Sequence, residues 1–476
     1  MPNTEYPELA APRTRREQLH EKNIKRSALL RLMKTVSILL QSALFYFVWV
    51  AYYAAKMQDA YLWRGNLAVA TLYGVVLLLL TRIYRGFEVG NLERLELFAS
   101  HALSQLIANV VFYVLSFFLC ERLVSPLPLL ALQLAEMLLL LLWVYLADSV
   151  YWKYTERERL AVFYRDGNDL ARLSHLDGFL RRFTLMRTIE LTDYSPQLLA
   201  GLDEVDTVLL IGVEANVRNG VLKDCVAEGI PAYVLPKTGD ILLRGASMEL
   251  VSGEMLLRTN RAAPAPEYLA CKRVFDIFAS LLAIVVTSPV MLATALAIKC
   301  EDGGPVFYRQ VRLTQERRAF SIIKFRSMRT DAEKDGKARL ASENDDRITR
   351  VGRFIRACRI DELPQLFNIL RGDMTIVGPR PERPEIAAQY EKDLPAFALR
   401  LQVKAGLTGY AQIYGRYNSE PYEKLQMDLM YINNMSVLED LKLMFGTVRI
   451  LFLKESTSGV TTGQTTAQRT EKEVCR

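Results

Sequence analysis

Residues 274–298 read VFDIFASLLAIVVTSPVMLATALAI, an apolar run interrupted at Ser288-Pro289, and the way it meets a membrane decides the fold of all that follows. At ~1.5 Å of rise per residue a helix of this length reaches across a bilayer. Hydropathy alone therefore favours a transmembrane helix. Two features oppose that reading. Proline inside a helix removes a backbone donor and crowds the preceding turn, so Ser288 and Pro289 predict a break. A crossing would also export the roughly 175 residues that follow. Those residues are rich in Lys, Arg, Asp and Glu and carry a phosphate-handling constellation whose substrate is cytosolic. A re-entrant helix over 273–298, entering and leaving by one face, satisfies both constraints.

Other apolar runs lie upstream. Four of them, about Thr35–Ala55, Leu67–Thr81, Leu97–Cys120 and Leu127–Val150, predict four transmembrane helices within 35–150. The second needs flanking residues to reach the ~20 that a bilayer demands. The arm 1–34 carries eight Lys or Arg against four Glu, and no short apolar core with a small-residue cleavage site follows it. Arg82, Arg85 and Arg94 sit between the second and third runs, and Lys153, Arg157 and Arg159 follow the fourth. Positive charge marks the cytoplasmic side, so everything after Tyr151 is expected in the cytoplasm.

The whole chain of 476 residues has a net charge of +7 and a slightly positive mean hydropathy. The charge suits phosphates, a nucleotide-sugar or acidic lipid, and no nucleic-acid partner is expected. Six scattered cysteines, three histidines and no CxxC pair argue against a zinc site.

Residues 151–260 have the composition of a cytoplasmic α/β domain. Leu160–Tyr164, Thr207–Val213 and Ala232–Leu235 read as strands, alternating with helix-like Asp169–Phe183 and Ala215–Ala227. That rhythm predicts a Rossmann-like domain. Its first turn, Arg165–Asp169, has one glycine where a dinucleotide fingerprint needs about three, so no nicotinamide cofactor is expected. A linker at 261–270 leads into a catalytic domain at 271–460 and a polar tail at 461–476.

The chemistry concentrates in that domain. Lys324-Phe325-Arg326, Arg356, Arg359-Ile360-Asp361-Glu362-Leu363-Pro364 and Gly378-Pro379-Arg380-Pro381 follow in order. Leu363, Leu366, Phe367 and Leu370 recur at helical spacing, so a helix begins here. Proline is tolerated only in a first turn, and Pro364 thus places Asp361 at or near the N-cap. Free backbone N–H groups there favour an ionised carboxylate and a phosphate. Arg356, Arg359 and Arg380 neutralise both and let them approach. Carboxylates serve as phosphoryl-accepting nucleophiles, and an adjacent carboxylate holds Mg2+. An isolated Asp-Glu pair would need no reading beyond helix capping. The arginines and the Gly-Pro-Arg-Pro turn are what point to catalysis.

Residues 271–460 resemble the catalytic domain of the bacterial sugar transferases, the polyprenyl-phosphate glycosyl-1-phosphate transferases. The resemblance rests on Lys272-Arg273-Val274-Phe275-Asp276, Ser288-Pro289, Lys324-Phe325-Arg326-Ser327-Met328, Asp361-Glu362-Leu363-Pro364-Gln365-Leu366 and Gly378-Pro379-Arg380-Pro381. Lys404-Ala405-Gly406-Leu407-Thr408-Gly409, Gly415-Arg416 and Asp428-Leu429-Met430-Tyr431 extend it. The upstream helices and Rossmann-like domain resemble the large members more loosely. The family implies a mainly α, monotopic catalytic domain, dependence on Mg2+ and a covalent intermediate on Asp361. It implies transfer of a sugar-1-phosphate from a UDP-sugar to polyprenyl (undecaprenyl) phosphate with release of UMP. That is the first membrane step of exopolysaccharide or capsule assembly, on the cytoplasmic face of the inner membrane.

On this reading Asp361, Glu362 and Arg356 are catalytic and Glu362 holds the metal. Lys324, Arg326, Arg380, Pro381, Arg416 and Asp428 are the substrate-binding candidates, and a homodimer is expected. One departure is local: the family's short Gly-containing hairpin turn is replaced by Thr314-Gln315-Glu316-Arg317-Arg318. Two rival readings are a nicotinamide-dependent sugar-nucleotide enzyme and a non-enzymatic membrane scaffold. The sugar itself is not legible.

Overall fold

The computed structural model describes residues 15–57, 63–195, 204–261, 264–330, 345, 347–415 and 420–450. They fall into two compact units divided at Leu235 and Pro236. Among the described residues, five helices are long and apolar enough to cross a membrane: Ile24–Lys56, Trp63–Ile83, Arg94–Cys120, Leu127–Tyr154 and Pro266–Asp302. This is a multi-pass membrane protein.

The first unit opens with four helices, α1 (Arg15–Val48), α2 (Trp63–Ile83), α3 (Arg94–Cys120) and α4 (Leu127–Tyr154), each packed on the next and α4 back on α1. Flanking residues bring the short second run to 21 residues. Side chains such as Leu39, Phe47, Leu79, Phe118 and Leu138 face outward, while Phe45, Trp49, Tyr73 and Phe112 stack inside. Hydrocarbon offers no water, so each buried polar group needs a partner within the bundle. Tyr73 donates to Glu136 Oε1 at 2.6 Å, Asn109 Nδ2 to Glu136 Oε2 at 2.9 Å, and Gln105 to Gln41 Oε1 at 2.9 Å.

The α/β part follows on the same chain. Strands β1 (Glu158–Tyr164), β2 (Phe183–Glu190), β3 (Thr207–Ile211) and β4 (Ala232–Val234) form an all-parallel sheet in the order β2-β1-β3-β4. Ala161, Phe163, Val208 and Leu210 pack against α5 (Ala215–Ala227), and Leu160, Val162, Leu209 and Ile211 fill the opposite face. Burial on both faces explains why β1 from Leu160 on and β3 read as unbroken apolar runs.

The second unit begins with α6 (Thr238–Arg244) and a hairpin, β5 (Ser247–Val251) and β6 (Glu254–Arg258). The sequence reading groups both with the α/β domain upstream. The structure buries Ile241 in the core of the second unit, and Asn433 donates to its carbonyl at 2.7 Å. Then comes α7 (Pro266–Asp302), with Pro289 inside it. Proline at 289 has no N–H for the carbonyl of Val285. The Ser288 hydroxyl donates to that carbonyl at 2.8 Å instead, and the helix runs on through the pair that the sequence marks as a break.

Both halves of α7 are fastened to the same body. Lys272 pairs with Asp440 at 2.6 Å, Arg273 donates to the carbonyls of Ile369 and Leu370, and Asp276 accepts from Thr375 Oγ1 at 2.6 Å. Beyond the proline, Met291 and Ile298 pack on Phe325 and Ile355, and Asp302 pairs with Arg326. Between these anchors Phe278, Leu281, Val285, Val286 and Leu292 point outward, uncovered.

The remaining elements carry the site. Strands β7 (Phe307–Leu313) and β8 (Ala319–Phe325) form an antiparallel hairpin; helices α8 (Arg350–Ala357) and α9 (Gln365–Arg371) follow. Strand β9 (Thr375–Val377), helix α10 (Pro384–Asp393), strand β10 (Gly406–Thr408, parallel to β9) and helices α11 (Pro421–Asn433) and α12 (Val437–Ile450) complete the unit. Gly378, just after β9, and Gly406, at the start of β10, lie so close that a Cβ on Gly406 would fall 2.1 Å from the Gly378 nitrogen. That crossing explains why both motifs carry glycine there.

Candidate active site

Three pieces of the second unit converge on Glu362. Strand β8 brings Lys324, the 3-10 turn Ile360–Glu362 brings Asp361 and Glu362, and the turn after β9 brings Arg380. The local chain path has a traceable cause. Thr349 caps α8 by accepting from Gly352 N, and Glu301 at the end of α7 accepts from the amides of Arg350 and Val351. After α8, Arg359 takes a left-handed conformation, φ 54°, and turns the chain back. Leu363 N then bonds to Ile360 O at 3.1 Å, closing a tight turn. Pro364 has no N–H to bond the same carbonyl in the α pattern, and α9 begins at Gln365 with Pro364 at its N-cap. Asp361 therefore lies in a separate turn ahead of the helix rather than at its N-cap. Buried Asn368 clamps α9 to β8: it accepts from Ile323 N at 2.9 Å and donates to Ser321 O at 2.8 Å. Lys324 is thereby held opposite the carboxylates.

Lys324 Nζ and Arg380 Nη2 each donate to Glu362 Oε1 at 2.9 Å, and Arg359 Nη1 stands 3.9 Å from Oε2. Burial alone would push the Glu362 carboxyl up. Lys324, Arg380 and Arg359 outweigh it and hold the group well below the usual carboxylate range. Asp361, half-buried, makes no hydrogen bond or ion pair among the described residues. Its pKa is raised to about 6, by burial first and the negative charge of Glu362 next, with Lys324, Arg356 and Arg380 pulling the other way. Two adjacent carboxyls are thus set apart by their surroundings: one stays ionised and gathers cations, the other is poised near neutrality.

A second charged layer lies beneath. Arg400, almost fully buried, forms an ion pair with Asp428 Oδ2 at 2.8 Å, donates to the carbonyl of Arg380 at 2.7 Å, and stands 3.7 Å from Glu382. Arg312 donates to the carbonyl of Pro381 at 3.0 Å. Burial raises the Asp428 pKa to about 6 against the pull of Arg400. This layer fixes the Pro379–Pro381 turn and so aims Arg380 at Glu362.

Comparison with known proteins matches residues 267–454, which contain all of these groups, to the model of the family described as bacterial sugar transferase. A UDP-glucose:undecaprenyl-phosphate glucose-1-phosphate transferase of Caulobacter vibrioides is 38% identical over 221 residues, 45% of this chain and 82% of that one. The chain belongs to the bacterial sugar transferase family. Other relatives of this transferase are longer than the match. A UDP-N-acetylgalactosamine-undecaprenyl-phosphate N-acetylgalactosaminephosphotransferase of Aeromonas hydrophila is 38% identical over 48% of this chain and 54% of its own length. A UDP-glucose:undecaprenyl-phosphate glucose-1-phosphate transferase of Klebsiella pneumoniae is 43% identical over 39% and 41%. The chain thus spans about half the length of these two.

Within the sugar transferase, the structure brings together Asp361, Glu362, Lys324 and Arg380, with Arg356 close by in the last turn of α8. Pro381 lies in the turn and Asp428 in the layer beneath. Arg326 is engaged elsewhere: its buried guanidinium pairs with Asp302 and packs on Gly304, fastening α7 to the end of β8. Arg416 lies outside the described residues. Arg400, Glu382 and Asn368 escaped the sequence reading as site residues. Arg400 carries its charge inside the apolar stretch Phe397-Ala398-Leu399-Arg400-Leu401, the one signal that marked it; Glu382 lies among other charged residues and prolines and had none.

Proposed function

We propose that the protein transfers a sugar-1-phosphate from a UDP-sugar to undecaprenyl phosphate and releases UMP, opening exopolysaccharide or capsule assembly. The observation that carries this reading is the free Asp361 carboxylate beside a Glu362 that holds Lys324 and Arg380. An Asp361 oxygen attacks the sugar-bearing phosphorus, the bond from that phosphorus to the UMP oxygen breaks, and UMP departs. A phosphate oxygen of the lipid then attacks the same phosphorus and displaces Asp361, giving a polyprenyl-diphospho-sugar. Arg356 and Arg380 offset phosphate charge, and Lys324 keeps Glu362 ionised.

The donors present fit Mg2+. Among the described residues Asp361, a hard oxygen ligand, has no partner, and the Oε2 oxygen of Glu362 has only a distant arginine. These two groups would hold the ion, which supplies charge neutralisation to a diphosphate.

The re-entrant reading of α7 gains support from its anchoring, since both halves pack on one unit. The positive-inside pattern supports a position of that unit on the cytoplasmic face of the inner membrane. A homodimer is supported by the β5–β6 hairpin, where paired Met248 and Leu257, and Leu250 and Met255, leave one apolar face exposed. The α/β domain is read as Rossmann-like and without a role in the chemistry. Asp169 packs against Gly212 at the end of β3 so tightly that no Cβ fits, placing a carboxylate where a dinucleotide phosphate would lie.

Incubation with labelled UDP-sugar and no lipid tests the covalent step. Label is expected on the wild type and not on Asp361→Asn, and near-normal turnover by the Asn variant would sink the nucleophile assignment. UMP release across a panel of UDP-sugars identifies the hexose.

A further inference from the structure

A cleft of about 920 Å3 opens in the second unit between α6 and the 3-10 segment Pro395–Gln402. Its lining sorts by chemistry. Leu242 and Leu243 face Leu399 and Leu401 as apolar walls, while Arg261 and Arg317 stand at a charged lip around Glu316. Small-molecule sites have this character: a few hundred to about 1,000 Å3, mostly apolar, with a few polar groups that orient the ligand.

The lip is built at a conformational cost. Glu316 and Arg317 both sit in the left-handed region, φ 57° and 59°, at the hairpin tip where this sequence lacks glycine. Such positions cost roughly 1 kcal/mol or more each and gather at functional sites. The pairs held there, Arg261 with Glu316 at 3.5 Å and Arg317 with Glu391 at 2.8 Å, have well-exposed arginines. They exchange readily for another anion.

The inner wall of the cleft is the outer face of the segment that positions the active site. Leu399 and Leu401 line the cleft. Arg400, between them, is buried on the other side, where it holds Asp428 and the carbonyl of Arg380. Helix α11 contributes to both as well, with Asn433 in the cleft wall and Asp428 beneath the active site.

We propose that this cleft binds a small amphipathic anion, an aromatic or aliphatic body ending in a phosphate, and that occupancy alters the Arg380–Glu362 pair. The effect on turnover rests on the function proposed above; the binding does not. The test uses the full chain in detergent and N-methylanthraniloyl-AMP as a fluorescent probe, titrated with saturating UMP present to fill the catalytic site. Saturable binding is expected, unchanged in Asp361→Asn and weakened at least tenfold in Arg261→Ala/Arg317→Ala. These arginines are exposed, so the variant keeps its fold. UMP release should change at least twofold on adding the probe to the wild type and not to that variant. Absence of saturable binding, or binding indifferent to the arginine pair, overturns the site. Binding in the cleft with no change in UMP release overturns the coupling. An enzyme that binds the probe but turns over no UDP-sugar would instead count against the proposed function.

Discussion

Replacing Asp361 with Asn should kill the enzyme and stabilise it. The carboxyl titrates at about 6 in the folded unit instead of 3.8, so near neutral pH the fold holds a charge that its surroundings disfavour. About two pKa units at ~1.36 kcal/mol each give a penalty of roughly 3 kcal/mol. The sign follows from proton binding. Between the two pKa values the folded state binds more protons than the unfolded one, so wild-type stability falls as pH rises through this window. An amide of the same shape carries no such penalty. At pH 7.5 the Asn variant should therefore melt higher by about 6–12 °C, taking 2–4 °C per kcal/mol for a unit of this size. The gap should close as pH falls from 6 towards 4, where wild-type Asp361 becomes protonated. Thermal shift in detergent, run from pH 4.5 to 8, measures it. The first half-reaction of the wild type should also lose about tenfold in rate per pH unit below 6, because only the carboxylate attacks. A variant that melts at or below the wild type at pH 7.5 would refute the claim that Asp361 is held ionised against its environment.

Further outcomes are expected. Glu362→Gln should cut the rate by several orders of magnitude, since Lys324 and Arg380 lose their shared anion. It should also move the acid limb of the pH profile downward, as the neighbouring charge that raises Asp361 is gone; an unshifted limb would count against that coupling. Arg400→Met should destabilise the second unit by about 3–5 kcal/mol, because it strands the buried Asp428. Adding Asp428→Leu should restore part of the loss in chemical denaturation. Cys271 and Cys300 are both exposed and flank the apolar stretch of α7. Single-cysteine versions should react with an impermeant maleimide from the same side of the membrane, and reaction from opposite sides would mean that the helix crosses.

Much of the fold was legible because membrane spans and buried parallel strands announce themselves as apolar runs. The site was legible where its residues sit close together in sequence, as Asp361 and Glu362 do, or within a short ordered motif such as the Arg380 turn. Arg400 was not. Its meaning depends on Asp428, 28 positions on, and on a backbone carbonyl that only the folded turn presents. Asn368 was hidden for a similar reason, since its closest partners are main-chain groups of β8, with Asp373 Oδ2 a longer contact at 3.4 Å. Asp361 lies just ahead of α9 and not at its cap, because the 3-10 turn Ile360–Glu362 comes first and Pro364 takes the N-cap position. Arg326 carried the charge expected of a phosphate ligand, and its pairing with Asp302 could be seen only in the folded unit.

The anchoring of α7 at both ends has a consequence for traffic through the membrane. On the proposed re-entrant reading, α7 enters and leaves by one face, the unit offers no path through the bilayer, and the proposed lipid substrate and lipid product share a single leaflet. The product of the proposed reaction carries a diphosphate and a sugar, and such a headgroup meets a steep barrier at the hydrocarbon core. It therefore stays where it is made and diffuses in two dimensions. Enzymes that extend the sugar must work on that same surface, and delivery to the far side requires a separate, catalysed transbilayer step.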